Sequence, residues 1–102
     1  MKLQNEYVLS KQLLRSGTSI GANVEEALAG ISKKDFIAKM SISSKEARET
    51  RYWLRLIDKS NIVQIELLKT LQDIESIINI LTKIVKTSQE KQHFFKMLNF
   101  GL

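Results

Sequence analysis

Apolar positions recur at helical intervals along the first third of the chain. Leu13, Gly17, Ile20, Val24, Ala27 and Ile31 fall at steps of four, three, four, three and four. That spacing places them on one face of an α-helix. Leu14, Gly21 and Leu28 widen this seam, and Arg15, Ser19, Asn23 and Glu26 run beside it as a polar stripe. Residues 1–12 lead into it as a helix start, with Tyr7, Val8 and Leu9 apolar. Gly17 and Gly21 each cost a helix interior about 1 kcal/mol against alanine. Their spacing predicts compensation through close approach of a neighbouring backbone. Gly30 marks the C-terminal end.

Ser32 opens a second helix, with Asp35 three residues on in the manner of a capping box. Its seam is Phe36, Met40, Ser43, Ala47, Thr50, Leu54 and Ile57, without a slip. The small middle (Ser43, Ala47, Thr50) predicts a close crossing with the glycine-bearing first helix. Ser60 and Asn61 break the pattern and are read as the cap of a third helix. The third seam is Leu67, Leu71, Ile74, Ile78, Leu81 and Val85. Ile77, Ile80 and Ile84 add a second row. A helix apolar over this much of its circumference is buried on more than one side, which points to a partner subunit. The isoleucines favour a strand by propensity, but the three-four spacing and the length decide for helix. Residues 88–102 begin polar and then carry Phe94, Phe95, Met97, Leu98 and Phe100. They are read as a short docked helix or a frayed end. The expected fold is all-α, an antiparallel bundle of three long helices over about 5–30, 33–59 and 62–87, followed by this tail.

At 102 residues the chain makes one domain with a small core. It has no proline to interrupt long helices and no cysteine, which excludes disulfides and thiolate chemistry. No apolar run reaches the roughly 18 residues of a membrane span. The N-terminus lacks the apolar core of a signal peptide, so a cytoplasmic protein without a membrane partner is expected.

The net charge is +5. Residues 32–59 carry eight basic and four acidic side chains, so most of the surplus lies on the second helix. There Lys34, Lys45, Arg48, Tyr52, Arg55 and Lys59 project within about 80° of one another at 100° per residue, opposite the apolar seam. Such a face suits phosphate contacts, and a tyrosine within it suits stacking on a base. The plainer reading is an ordinary solvated helix surface. A further row, Ile42, Glu46, Glu49, Trp53 and Leu56, mixes apolar and acidic residues. Ile42, Trp53 and Leu56, together with Ile77, Ile80 and Ile84, are the candidates for a homo-oligomer interface. Arg15, Ser19, Asn23 and Glu26, with Glu49 facing them, are read as a structural polar network that sets helix register.

For catalysis the inventory is poor. His93 is the single histidine and sits in the tail. Gly17 and Gly21 are mid-helix rather than in a phosphate-cradling loop. Glu46 and Glu49 share a face but lack the histidine of a di-metal bundle. No catalytic residue, metal or cofactor is therefore expected, and the protein is read as non-enzymatic.

The run from Ser19-Ile20-Gly21-Ala22-Asn23-Val24 through Glu25 and Glu26 to Ser32-Lys33-Lys34-Asp35-Phe36 resembles the 23S rRNA intervening-sequence proteins. The likeness extends over about residues 8–87. It implies a four-helix-bundle fold in which the first helix is here absent or cut to a stub, leaving a groove. The aromatic tail or a neighbouring subunit would fill it. The resemblance also implies homo-oligomers, pentamers among them, and for a similar bundle association with nucleic acid and reverse transcriptase. It brings no catalytic residues. Two readings follow: an oligomeric scaffold that binds RNA or DNA through the second-helix stripe, or a protein-interaction module whose basic surface is incidental.

Overall fold

A computed structural model describes the backbone of residues 2–61 and 66–101, and the side chains of residues 6–61 and 66–99. All regular structure among them is helical: α1 (Lys2–Leu28), α2 (Lys33–Ser60) and α3 (Leu68–Gly101). The expected start of the third helix near residue 62 lies outside the described residues. Residues 88–101 do not form a separate docked helix. They continue α3 as one rod of 34 residues, because nothing between Leu81 and Met97 breaks a helix. The body is correspondingly long, 64 × 22 × 16 Å.

α2 is the spine, with α1 and α3 packed on either side of it. Its buried residues are Ile37, Met40, Ser43, Ser44, Ala47, Thr50, Leu54 and Ile57. Six of the seven expected seam positions are thus buried, and Phe36 packs against the core from its margin. Ile74, Ile78 and Leu81 of α3 and Ala27 of α1 complete the core, with Leu13, Ile20, Val24, Leu71, Ile84 and Val85 around it. Contacts pair rising residue numbers on α1 with falling ones on α2: Ser16 with Thr50, Ile20 with Ser43, Glu26 with Lys39. α2 and α3 meet likewise through Arg51 and Glu75, Arg48 and Thr82, and Lys33 and Phe95.

The α1–α2 crossing differs from the expected one. Its close approach uses serine and alanine, not glycine. Ser16 and Ala47 are fully buried, and Ser43 Oγ donates to the Ile20 carbonyl at 2.8 Å. Thr50 Oγ1 donates to the Ser16 hydroxyl at 3.0 Å or to the Glu46 carbonyl at 2.8 Å, and Ser16 donates in turn to the Leu13 carbonyl. These hydroxyls can lie in the crossing because each reaches a carbonyl or another hydroxyl. Gly17 and Gly21 instead face open space: a Cβ at either would find nothing within 4 Å. Ile31 lies beyond the helix end and is wholly exposed.

The turns are sharply specified. Ser32 caps α2, accepting from Asp35 N at 3.0 Å. Gly30 is closely packed: a Cβ there would sit 2.6 Å from Asp35 Oδ2, displacing that carboxylate, and 3.1 Å from the Ala27 carbonyl. Asn61 closes α2 instead of opening the third helix. Its φ of 54° is left-handed, a conformation asparagine tolerates better than most residues.

A candidate nucleic-acid interface on the second helix

The buried row of α2 determines what its opposite face can be. With Met40, Ala47 and Leu54 turned into the core, residues half a turn away project into solvent. Lys34, Lys45, Arg48, Tyr52, Arg55 and Lys59 are all exposed there. From Lys34 to Lys59 the face runs about 38 Å along the helix axis. Arg48 donates to Thr82 Oγ1 at 2.9 Å, and Arg55 lies 3.4 Å from Glu75, which Arg51 also holds at 2.7 Å. Glu75 is therefore mainly neutralised by Arg51, leaving Arg55 with a long, exposed contact. Beside Arg48, a hollow of about 230 Å³ between α2 and α3 is lined by Ser41, Ser44, Thr82, Lys86 and Gln89. Lys86 extends the cationic surface onto α3. Tyr52 is 57% exposed and meets Trp53 edge-on, ring centroids 5.0 Å apart. Its ring is thus oriented by a neighbour while still open to solvent.

The polar stripe beside the α1 seam divides into separate contacts. Arg15 pairs with Glu49 and, at 3.4 Å, with Glu46. Glu26 pairs with Lys39 at 2.8 Å, and this hydrogen bond holds the Lys39 pKa above its ordinary value of 10.5. Asn23 donates to the Ser19 carbonyl within α1, so neither Ser19 nor Asn23 reaches α2 by a side-chain bond. These groups lie at the solvent edge. The buried polar groups between α1 and α2 are Ser16, Ser43 and Thr50. A serine four residues before Ile20, opposite hydroxyls on α2, is the signal that would have marked them.

The six interface candidates do not form one patch. Ile42 and Leu56 are exposed on the side of α2 away from its buried row, with Trp53 half-buried near them. Ile77 instead lines a groove between α1 and α3, floored by Thr50 and Leu54 and walled by Leu13, Leu14 and Gly17. Its volume is about 540 Å³ and its lining almost entirely apolar. Ile80 is exposed and Ile84 half-buried further along α3. The aromatic tail does not fill this groove, since Phe94, Phe95, Met97 and Leu98 stand exposed on α3 itself. His93 is exposed in the same stretch. Among the described residues no three acidic or histidine side chains converge as a metal site, and no helix is long and apolar enough to cross a membrane.

An all-helical chain whose central helix buries one face and presents cations on the other is the class of protein that fold and surface define. The chain belongs to the 23S rRNA-intervening sequence protein family, whose pattern it matches over residues 1–83. It is similar to a crystal structure, at 1.70 Å resolution, of a protein of unknown function from the S23 ribosomal protein family of Bacteroides thetaiotaomicron VPI-5482. The two share 46% identity and a TM-score of 0.74, over 81% of this chain and 78% of that one. No curated protein matches the chain.

Proposed function

We propose that this protein is a non-enzymatic, self-associating helical bundle that binds the phosphate backbone of RNA or DNA through the cationic face of α2. The observation that carries the reading is the exposure of all six stripe residues along one line, with Lys86 beside them. The concentration of basic residues between 32 and 59 supports it, as does the ribosomal RNA in the family's name. The opposed residue numbering of the helix contacts supports an antiparallel arrangement, with the α1–α3 groove as the position of a fourth helix in a four-helix bundle. Self-association would align several stripes and raise affinity through multivalency, with a pentamer expected from the resemblance. A cytoplasmic location goes with this reading.

The test is fluorescence anisotropy with single-stranded RNA over a salt series. Three to five phosphate contacts predict a slope of log K against log salt of about −2 to −3.5. Lys45→Glu with Lys59→Glu, which break none of the ion pairs between helices, should flatten the slope and weaken binding. Absence of binding at low salt would overturn the proposal. The second reading is a protein-interaction module, and the 540 Å³ apolar groove favours it. It predicts binding insensitive to the stripe and sensitive to Leu14 and Ile77.

A further inference from the structure

The hollow between α2 and α3 differs in kind from the rest of the cationic face. Ser41, Ser44 and Arg48 line it from α2, and Thr82, Lys86 and Gln89 from α3. Val85 is the one apolar residue of the lining, and no acidic residue belongs to it among the described residues. The carboxylates nearest on α2, Glu46 and Glu49, are taken by Arg15 on the α1 side, and Glu75 of α3 is taken by Arg51. Two cations therefore meet at one concavity without a counter-charge in its wall. Arg48 is held at its rim by the 2.9 Å bond from Nη2 to Thr82 Oγ1. That oxygen accepts in this bond, so the Thr82 hydroxyl keeps its own proton to donate, and Arg48 keeps its other N–H groups. Ser44 places a further hydroxyl at a position only 9% exposed, where a polar side chain gains from a partner.

We propose that this hollow seats the phosphate monoester at the end of an RNA or DNA strand. The proposal rests on the nucleic-acid reading of the α2 stripe and adds to it a site that tells one strand end from another. Size, charge and donors select the ligand. At about 230 Å³ the hollow is smaller than the roughly 300–1,000 Å³ of pockets that enclose a whole small molecule, so it suits one tetrahedral group. A monoester carries about −1.5 to −2 charge at pH 7 and three free oxygens, which match two cations and a set of hydroxyl and amide donors. An internal phosphodiester brings a single charge and two free oxygens, and both of its ester links must leave the hollow. Arg48 belongs to the hollow and to the stripe alike. A strand held by its end there has Tyr52 and Arg55 about 6 Å and about 10 Å further along the helix axis.

The test is fluorescence anisotropy with one short, internally labelled RNA carrying a 5′-phosphate, a 3′-phosphate or neither. One of the phosphorylated strands should bind about tenfold more tightly than the strand with neither. That ratio should fall to about one in Lys86→Met and in Gln89→Glu, whatever loss all strands share. Both residues are exposed, and circular dichroism checks that the helices are intact. Lys59→Glu, about 16 Å along the axis from Arg48, should weaken all three strands and keep the ratio. Inorganic phosphate should shift the amides of Ser44 and Thr82 and compete with the phosphorylated strand. Equal affinity for the three strands, or a ratio that survives Lys86→Met and Gln89→Glu, overturns the strand-end site and leaves the stripe reading standing. Phosphate shifts at Ser44 and Thr82 without binding of any strand overturn the nucleic-acid reading and the strand end together, and make free phosphate the occupant.

Discussion

The open faces of Gly17 and Gly21 make a quantitative prediction with a definite sign. Both sit inside α1, neither has a positive φ, and the nearest atoms to an added Cβ lie beyond 4 Å. Alanine therefore gains helix propensity and limits the unfolded chain at no steric cost. Each substitution should stabilise by about 0.4–1 kcal/mol, and the pair by about 1–2 kcal/mol. For a domain this small, each kcal/mol raises Tm by about 4–8 °C. The assay is urea unfolding followed by circular dichroism, at a protein concentration where light scattering shows a single copy. Destabilisation under those conditions would refute the reasoning, because it would mean that a backbone packs against α1 at the glycines. Gly30→Ala is the internal contrast. Its Cβ would meet Asp35 Oδ2 at 2.6 Å and the Ala27 carbonyl at 3.1 Å, so it should stabilise less than either Gly17→Ala or Gly21→Ala.

Ala47→Leu should cost about 1–3 kcal/mol in the same unfolding assay, because Ala47 is completely buried where α1 crosses α2. Leu54→Ala should cost about 2–5 kcal/mol, since Leu54 is 4% exposed in the core and floors the groove. Asn61→Gly should be neutral or mildly stabilising and Asn61→Val destabilising, because φ is 54° there. The Glu26–Lys39 pair holds the Lys39 pKa above its ordinary value of 10.5. Its stabilisation is thus complete below that value and lost as pH rises through the raised one. An alkaline unfolding series on wild type and Lys39→Met should converge there.

α2 is legible in the sequence because it is buried along one row only, and the row repeats without interruption. The same regularity places the stripe, since residues opposite a buried row must face water. α1 is harder to read because it has two rows, one against α2 and one along the open groove. Apolarity alone does not tell them apart. The seam through Leu13, Gly17 and Ile20 borrows from both, and Ser16, the residue at closest approach, is hidden by being polar. The hydroxyl partners on α2 are what make its burial possible, and they lie 34 residues away in the chain. Asn61 shows a similar ambiguity. The same residue type caps the start of a helix through its side chain or ends one through its backbone, and only φ distinguishes the two. What the stripe binds is not written in its spacing, because a solvated surface and a phosphate-contacting one use the same lysines.

The central claim is that one helix holds the bundle with one face and nucleic acid with the other. Amide chemical-shift mapping with a short single-stranded RNA tests it most directly. The account predicts shifts that saturate together at Lys45, Arg48, Tyr52, Arg55 and Lys86 and are absent at Leu14 and Leu28. Shifts confined to the α1–α3 groove, or none with RNA in excess at low salt, would contradict it.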